Sequence, residues 1–151
     1  MSTLTDKVKN IIKDNIYLTL ATSDDIPWAT PLYYCTDDEY NFYFISQLDS
    51  LHTKHIVKNP TVAFAIFDST QKEGAGTGIQ ASGKVYMLDT TDAIQKALKF
   101  YHTSLLNCTP DDFVGIKPYR LFKLAPEKIY IQDPDSETDK RIEVSLKNDE
   151  S

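Results

Sequence analysis

One nine-residue stretch carries more potential chemistry than any other in the sequence: Ser46-Gln47-Leu48-Asp49-Ser50-Leu51-His52-Thr53-Lys54. A strand-like segment ends there in one hydroxyl, and a second hydroxyl is placed to cap the helix that follows. His52 and Lys54 fall in the first turn of that helix. Free N–H groups and partial positive charge at a helix N-terminus suit a phosphate dianion. The same residues also serve as a plain N-cap and a solvated helix face, and spacing alone does not separate the two. Aromatic residues give a second hint. Trp28, Tyr33, Tyr34, Tyr40, Phe42, Tyr43 and Phe44 crowd two adjacent segments. They would stack well on a planar cofactor, and they would equally well fill a small barrel.

Other chemistries find less support. The histidines are His52, His55 and His102, and the cysteines are Cys35 and Cys108. No C-x-x-C, H-E-x-x-H or calcium-loop pattern joins them. His52 and His55 are spaced to chelate on one helix but also read as ordinary surface histidines. There is no G-x-S-x-G elbow. Cys35 ends an aromatic strand and reads as a small buried residue. Gly74-Ala75-Gly76-Thr77-Gly78 is rich in glycine, but no helix and no lysine follow it, so it reads as a hairpin connection.

The chain that must position these groups has 151 residues, enough for one domain with a real core. Sixteen basic and 22 acidic residues give a net charge of −6, which argues against a nucleic-acid partner. No apolar run is long enough for a membrane span, and the N-terminus lacks a signal-peptide pattern. Two cysteines fit a reducing cytoplasm.

Hydrophobic periodicity predicts a helix over the first fifteen residues, with Val8, Ile11 and Ile12 inward and Thr3 or Thr5 as cap. Strands follow at 17–22, 28–34 and 40–46. Pro31 requires its strand to be bulged or at an edge. A short helix over 50–58 has Leu51, His55 and Ile56 on one face. The run 61–67 reads as a buried strand, and 78–88 as a strand with a bulge at Gly83. A capped helix extends from Asp89 to about Asn107, with Ile94, Ala97, Leu98, Tyr101 and Leu105 inward. Two last strands, 119–124 and 128–132, are split at Ala125-Pro126. The tail 133–151 holds seven acidic and three basic residues and reads as loosely ordered, although Ile142, Val144 and Leu146 alternate as in a short strand. Short links between early strands favour an antiparallel barrel.

The order of elements and several strings resemble the FMN-binding split-barrel superfamily, which includes the pyridoxamine 5'-phosphate oxidases. The strings are Tyr17–Thr22, Pro27–Tyr34, Phe42–Ser46 with Ser50 and Lys54, Lys58–Ala63, and Gly78–Val85. The resemblance covers residues 1–132. It implies a mainly β fold with flanking helices, a six-stranded antiparallel split barrel, followed by the polar tail. It also implies a homodimer with FMN in an interfacial groove. Carried over position by position, the cofactor contacts fall on Thr30, Pro31 and Leu32, on Ile45 and Ser46, on Ser50, Leu51, His52 and Lys54, and on Gln80.

The resemblance has clear departures. The oxidases carry arginine at the position of Thr30, lysine at Cys35 and basic residues at Leu51 and His52. The arginine-bearing substrate motif after Gln132 is also missing. The implied function is therefore that of a short, general member, a cytoplasmic flavoprotein oxidoreductase acting on a small molecule, not a vitamin B6 oxidase. A second reading is a non-catalytic split-barrel dimer that binds haem, another ligand or no cofactor.

Overall fold

The computed structural model describes residues 3–74, 77–101 and 107–146. His102 and Leu105 of the predicted third helix, and Gly76 of the glycine-rich loop, lie outside them.

The first helix, α1 (Leu4–Asp14), is capped by Thr3, whose hydroxyl accepts from the Asp6 amide while the Asp6 carboxylate accepts from Thr3 N–H. Val8 and Ile12 point into the core. There follow β1 (Tyr17–Ser23), β2 (Pro27–Tyr33), β3 (Cys35–Thr36), β4 (Phe42–Gln47), α2 (Leu51–Lys58), β5 (Thr61–Phe67) and β6 (Gly78–Met87). Then come α3 (Thr91–Leu98), a 3-10 turn (Pro110–Phe113), β7 (Tyr119–Gln132) and β8 (Arg141–Glu143).

All strand pairs are antiparallel, in the order β2-β1-β5-β6-β7-β4-β3, with β8 added to β7. A single residue, Tyr34, separates β2 from β3. The two ends of the sheet are thus one bent strand, which pairs with β1 along its first part and with β4 along its second. This curls the sheet into a split barrel. Eight strands stand where six were expected. The surplus has two sources: the bend at Tyr34 divides one strand in two, and the tail contributes β8.

Inside lie Phe42, Phe44, Phe64 and Phe122 with Leu18, Leu20, Ile79 and Ile131. Phe44 and Phe122 stack with centroids 5.0 Å apart. A second cluster joins Ile94 and Ala97 of α3 to Tyr43 and Leu121 on the outer side of β4 and β7.

Four expectations need correction. The final strands are one, β7, because Pro126 falls at the register irregularity opposite Gly83, where a missing N–H costs no regular ladder bond. The bulge predicted at Gly83 therefore has its extra residue on β7, at Glu127. The apolar run of β5 is not buried on both faces: Val62, Phe64 and Ile66 point inward, while Ala63, Ala65 and Phe67 are exposed. Helix α3 ends at Leu98, well short of Asn107.

The tail also contributes more than a loose segment: Val144 is 7% exposed and belongs to the main core cluster.

Gly83 makes a close crossing with β7. A Cβ there would lie 2.3 Å from Ala125 O and 3.0 Å from Pro126 Cα, both main-chain atoms. Gly83→Ala is expected to cost about 1–3 kcal/mol, the usual range for overpacking. A denaturation midpoint indistinguishable from the parent would show that β7 shifts without penalty.

Candidate functional site

Helix α2 begins directly beyond the end of β4 and packs on β1 and β2. Ser50 is its N-cap, accepting from the Thr53 amide at 3.4 Å. Ser50 Oγ also lies 2.8 Å from Gln47 O and 2.7 Å from Thr53 Oγ1. A carbonyl only accepts, so the Ser50 hydrogen goes to Gln47 and the Thr53 hydroxyl donates to Ser50.

His52 turns inward. Its Nε2 is 2.7 Å from Ser46 Oγ, at the end of β4, and 3.3 Å from Ser50 Oγ. One turn on, His55 Nδ1 is 3.0 Å from Thr22 Oγ1 on β1. Both histidines are buried. Burial, and secondarily the neighbouring His55, holds the His52 pKa below the usual histidine value. His52 is therefore neutral near pH 7 in the free protein.

Lys54 is exposed on the outer side of α2. Of the face expected to carry Leu51, His55 and Ile56, the last two are buried and Leu51 is 37% exposed, while His52 joins the buried side. Arg120 of β7 pairs in register with Ser46, and its guanidinium donates to the carbonyls of Gly115, Lys117 and Tyr119.

Strand β2 supplies the neighbouring edge. Tyr34 N–H donates to Ile16 O. Alternation along the ladder then turns the main-chain groups of Trp28, Thr30 and Leu32 toward β1. Those of Pro27, Ala29, Pro31 and Tyr33 face the open edge. Pro27 and Pro31 thus occupy positions where a missing N–H removes no β1 bond. This confirms the edge reading of Pro31. Thr30 Oγ1 is buried and has no hydrogen-bond partner among the described residues. Leu32 is 9% exposed, its side chain belongs to the core and its main-chain groups face β1, so the open edge beside it is formed by Pro31 and Tyr33. Ile45 is half-buried against the α3 cluster.

Gln80 stands apart. On the outer face, Pro31 pairs with Thr19, Thr19 with Ala65, and Ala65 with Gln80. Three strand spacings separate Gln80 from Pro31, about 14 Å. Within one chain the fold brings together Ser46, Ser50, Leu51, His52 and Lys54, sets Thr30, Pro31 and Leu32 on the adjacent strand, and leaves Gln80 across the sheet.

Sequence reasoning missed Thr22 and Arg120 as parts of this region and gave Thr53 no role in it. Thr22 carried a readable signal, since it follows Leu18 and Leu20 at the inward positions of β1 and is a polar residue where an apolar one was due.

A family model for pyridoxamine 5'-phosphate oxidase matches residues 4–133. The chain belongs to that family. A UPF0306 protein of Pasteurella multocida is 32% identical over 99 residues, covering 64% of this chain and 66% of that one. General stress protein 26 of Bacillus anthracis shares the fold with a TM-score of 0.66 at 22% identity, covering 93% of this chain and 98% of that one. A haem-binding protein of Mycobacterium smegmatis does so with a TM-score of 0.75 at 13% identity, covering 97% of this chain but 59% of its own.

Membership of the pyridoxamine 5'-phosphate oxidase family raises the question of whether the residues present suit FMN. They do. The main-chain groups of Ala29 and Pro31 face the open edge, where a polar ring rim would pair with them, while Thr30 Oγ1 is a buried hydroxyl on the inward face. The N-terminus of α2 offers hydroxyls and amide groups to a phosphate. Permanent positive charge is sparse, because His52 is neutral and Arg120 is already engaged with carbonyls.

Proposed function

We propose that this protein is a homodimeric, FMN-binding flavoprotein, an oxidoreductase of a small molecule. The observation that carries the reading is the hydroxyl cluster at the N-terminus of α2, a helix that packs on the edge strand β2. Ser46, Ser50, the main-chain N–H groups of Leu51 and His52, and Lys54 hold the phosphate. Thr30, the main chain of Pro31, and Ile45 border the ring. FMN, when bound, supplies the hydride chemistry, so no acid or base of the chain is required for that step.

The outer sheet face supports the dimer. Ala29, Ala21 and Ala63 form a row across β2, β1 and β5, with Thr19, Pro31 and Ala65 beside it. A face this small and uncharged suits close approach of a second copy, which would bring Gln80 to the partner's cofactor. Ala63→Arg is expected to convert the dimer to monomer in sedimentation velocity. A dimer that persists would move the interface to another face.

Among the described residues no helix is long and apolar enough to cross a membrane, and no disulfide joins Cys35 and Cys108. Thiols fit the reducing cytoplasm we propose as its location.

The test is a visible spectrum of the purified protein incubated with FMN and desalted. Retained flavin bands are the expected result. A colourless protein would overturn the reading, and a Soret band would favour haem.

A further inference from the structure

We propose that FMN binding takes up a proton at His52, so that the ligand itself charges the phosphate end of its site. This rests on the FMN reading above.

The geometry around the imidazole allows the change without rearrangement. Both hydrogen bonds of His52 are made by Nε2, to Ser46 and Ser50 hydroxyls, and Nδ1 has no partner among the described residues. A hydroxyl can donate or accept. Whichever tautomer the free protein holds, Ser46 can accept from a protonated Nε2, because its own hydrogen is free to rotate away. Protonation therefore keeps the short 2.7 Å bond and leaves both ring nitrogens as donors.

The surroundings explain why a ligand must drive it. His52 is 8% exposed. On α2 itself the ionisable neighbours are His55, exposed Lys54 and, at the far end, Lys58, which pairs with Asp24 at 3.2 Å. β1 and β2 contain no Asp, Glu, Lys or Arg. β4 contains none either, and beyond it β7 presents Arg120. The nearest acid in sequence is Asp49, which is exposed. No buried carboxylate compensates an imidazolium here. A phosphate dianion at the α2 N-terminus would.

The sign follows from linkage. Burial depresses the free-state pKa of His52. A bound phosphate raises it. Affinity is then fully present below the free-state value and falls as pH rises through the bound-state value, by at most about tenfold per pH unit. The phosphate loses its own second proton near pH 6, so the effect is read at pH 7 and above.

The experiment is calorimetric titration of the full chain with FMN at pH 7.0 and 8.0, in PIPES, HEPES and Tris buffers, whose ionisation heats differ. Riboflavin, which lacks the phosphate, and His52→Gln, which keeps a hydrogen-bonding group for Ser46, are run in parallel. The expected result is net proton uptake on FMN binding by the parent, none with riboflavin, and none in His52→Gln. FMN bound without proton uptake, or equal uptake in His52→Gln or with riboflavin, overturns the inference and leaves the FMN site standing. No binding of either flavin overturns both.

Discussion

Replacing Phe44 by alanine is expected to lower the unfolding free energy by about 3–5 kcal/mol. Phe44 is 0% exposed and lies on the inward face of β4. Its ring stacks on Phe122, also 0% exposed, at an interplanar angle of 12°. The contact ties β4 to β7, which pair directly from Phe42↔Leu124 to Gln47↔Tyr119. Two losses add. The ring's burial free energy disappears, and a void remains because strands paired on both sides cannot collapse into it. The aromatic pair contributes a further 0.5–1.5 kcal/mol or so beyond burial. Phe44→Leu should recover roughly half of the loss, since it restores volume without the stack. Urea unfolding followed by tryptophan fluorescence measures both. A loss below about 1.5 kcal/mol for Phe44→Ala would place the variant among ordinary surface-like changes and show that the barrel repacks freely.

Part of this core could be read in advance, because residues of β1 alternate strongly enough to declare its inward face. The edge position of Pro31 was legible for a related reason: proline leaves few places for a strand to pair. Three features were hidden. Strand β5 is apolar on both faces, so its sequence conceals the alternation that leaves Ala63 and Ala65 outside. Pro126 read as a break, yet it sits where β7 bulges opposite Gly83 and the strand continues through it. The phase of α2 was the most consequential. Apolarity placed Leu51 inward and His52 outward, but the inward face is set by hydroxyls on the barrel, Ser46 for His52 and Thr22 for His55. The Thr22–His55 hydrogen bond spans 33 residues of chain, so the polar residue on the inward face of β1 did not name its partner. The electrostatic character of the candidate phosphate end, a buried imidazole in place of a solvated one, came only from the fold.

Changing Ser50 and Lys54 together to alanine is expected to weaken FMN binding by about 2–4 kcal/mol, roughly 30- to 700-fold in Kd. The two residues act differently. Lys54 is exposed, so its charge works through solvent and contributes toward the lower end of that range. Ser50 orders the helix start, because its oxygen accepts from the Thr53 amide and lies within reach of both His52 and Thr53 side chains. Removing it loosens the amide groups that would face the phosphate. Alanine at a cap also costs about 1 kcal/mol of helix stability, so lost affinity could report a frayed α2. Ser50→Asp separates the effects. Aspartate caps as well as serine, keeping the helix, but sets a carboxylate against the phosphate. It should retain the parent's thermal midpoint within a few degrees and bind FMN at least as weakly as the double variant. Riboflavin affinity should fall far less in both proteins, since it has no phosphate to lose. If FMN binds the Ser50→Asp protein as tightly as the parent, with α2 intact by circular dichroism, the phosphate does not sit at the N-terminus of α2.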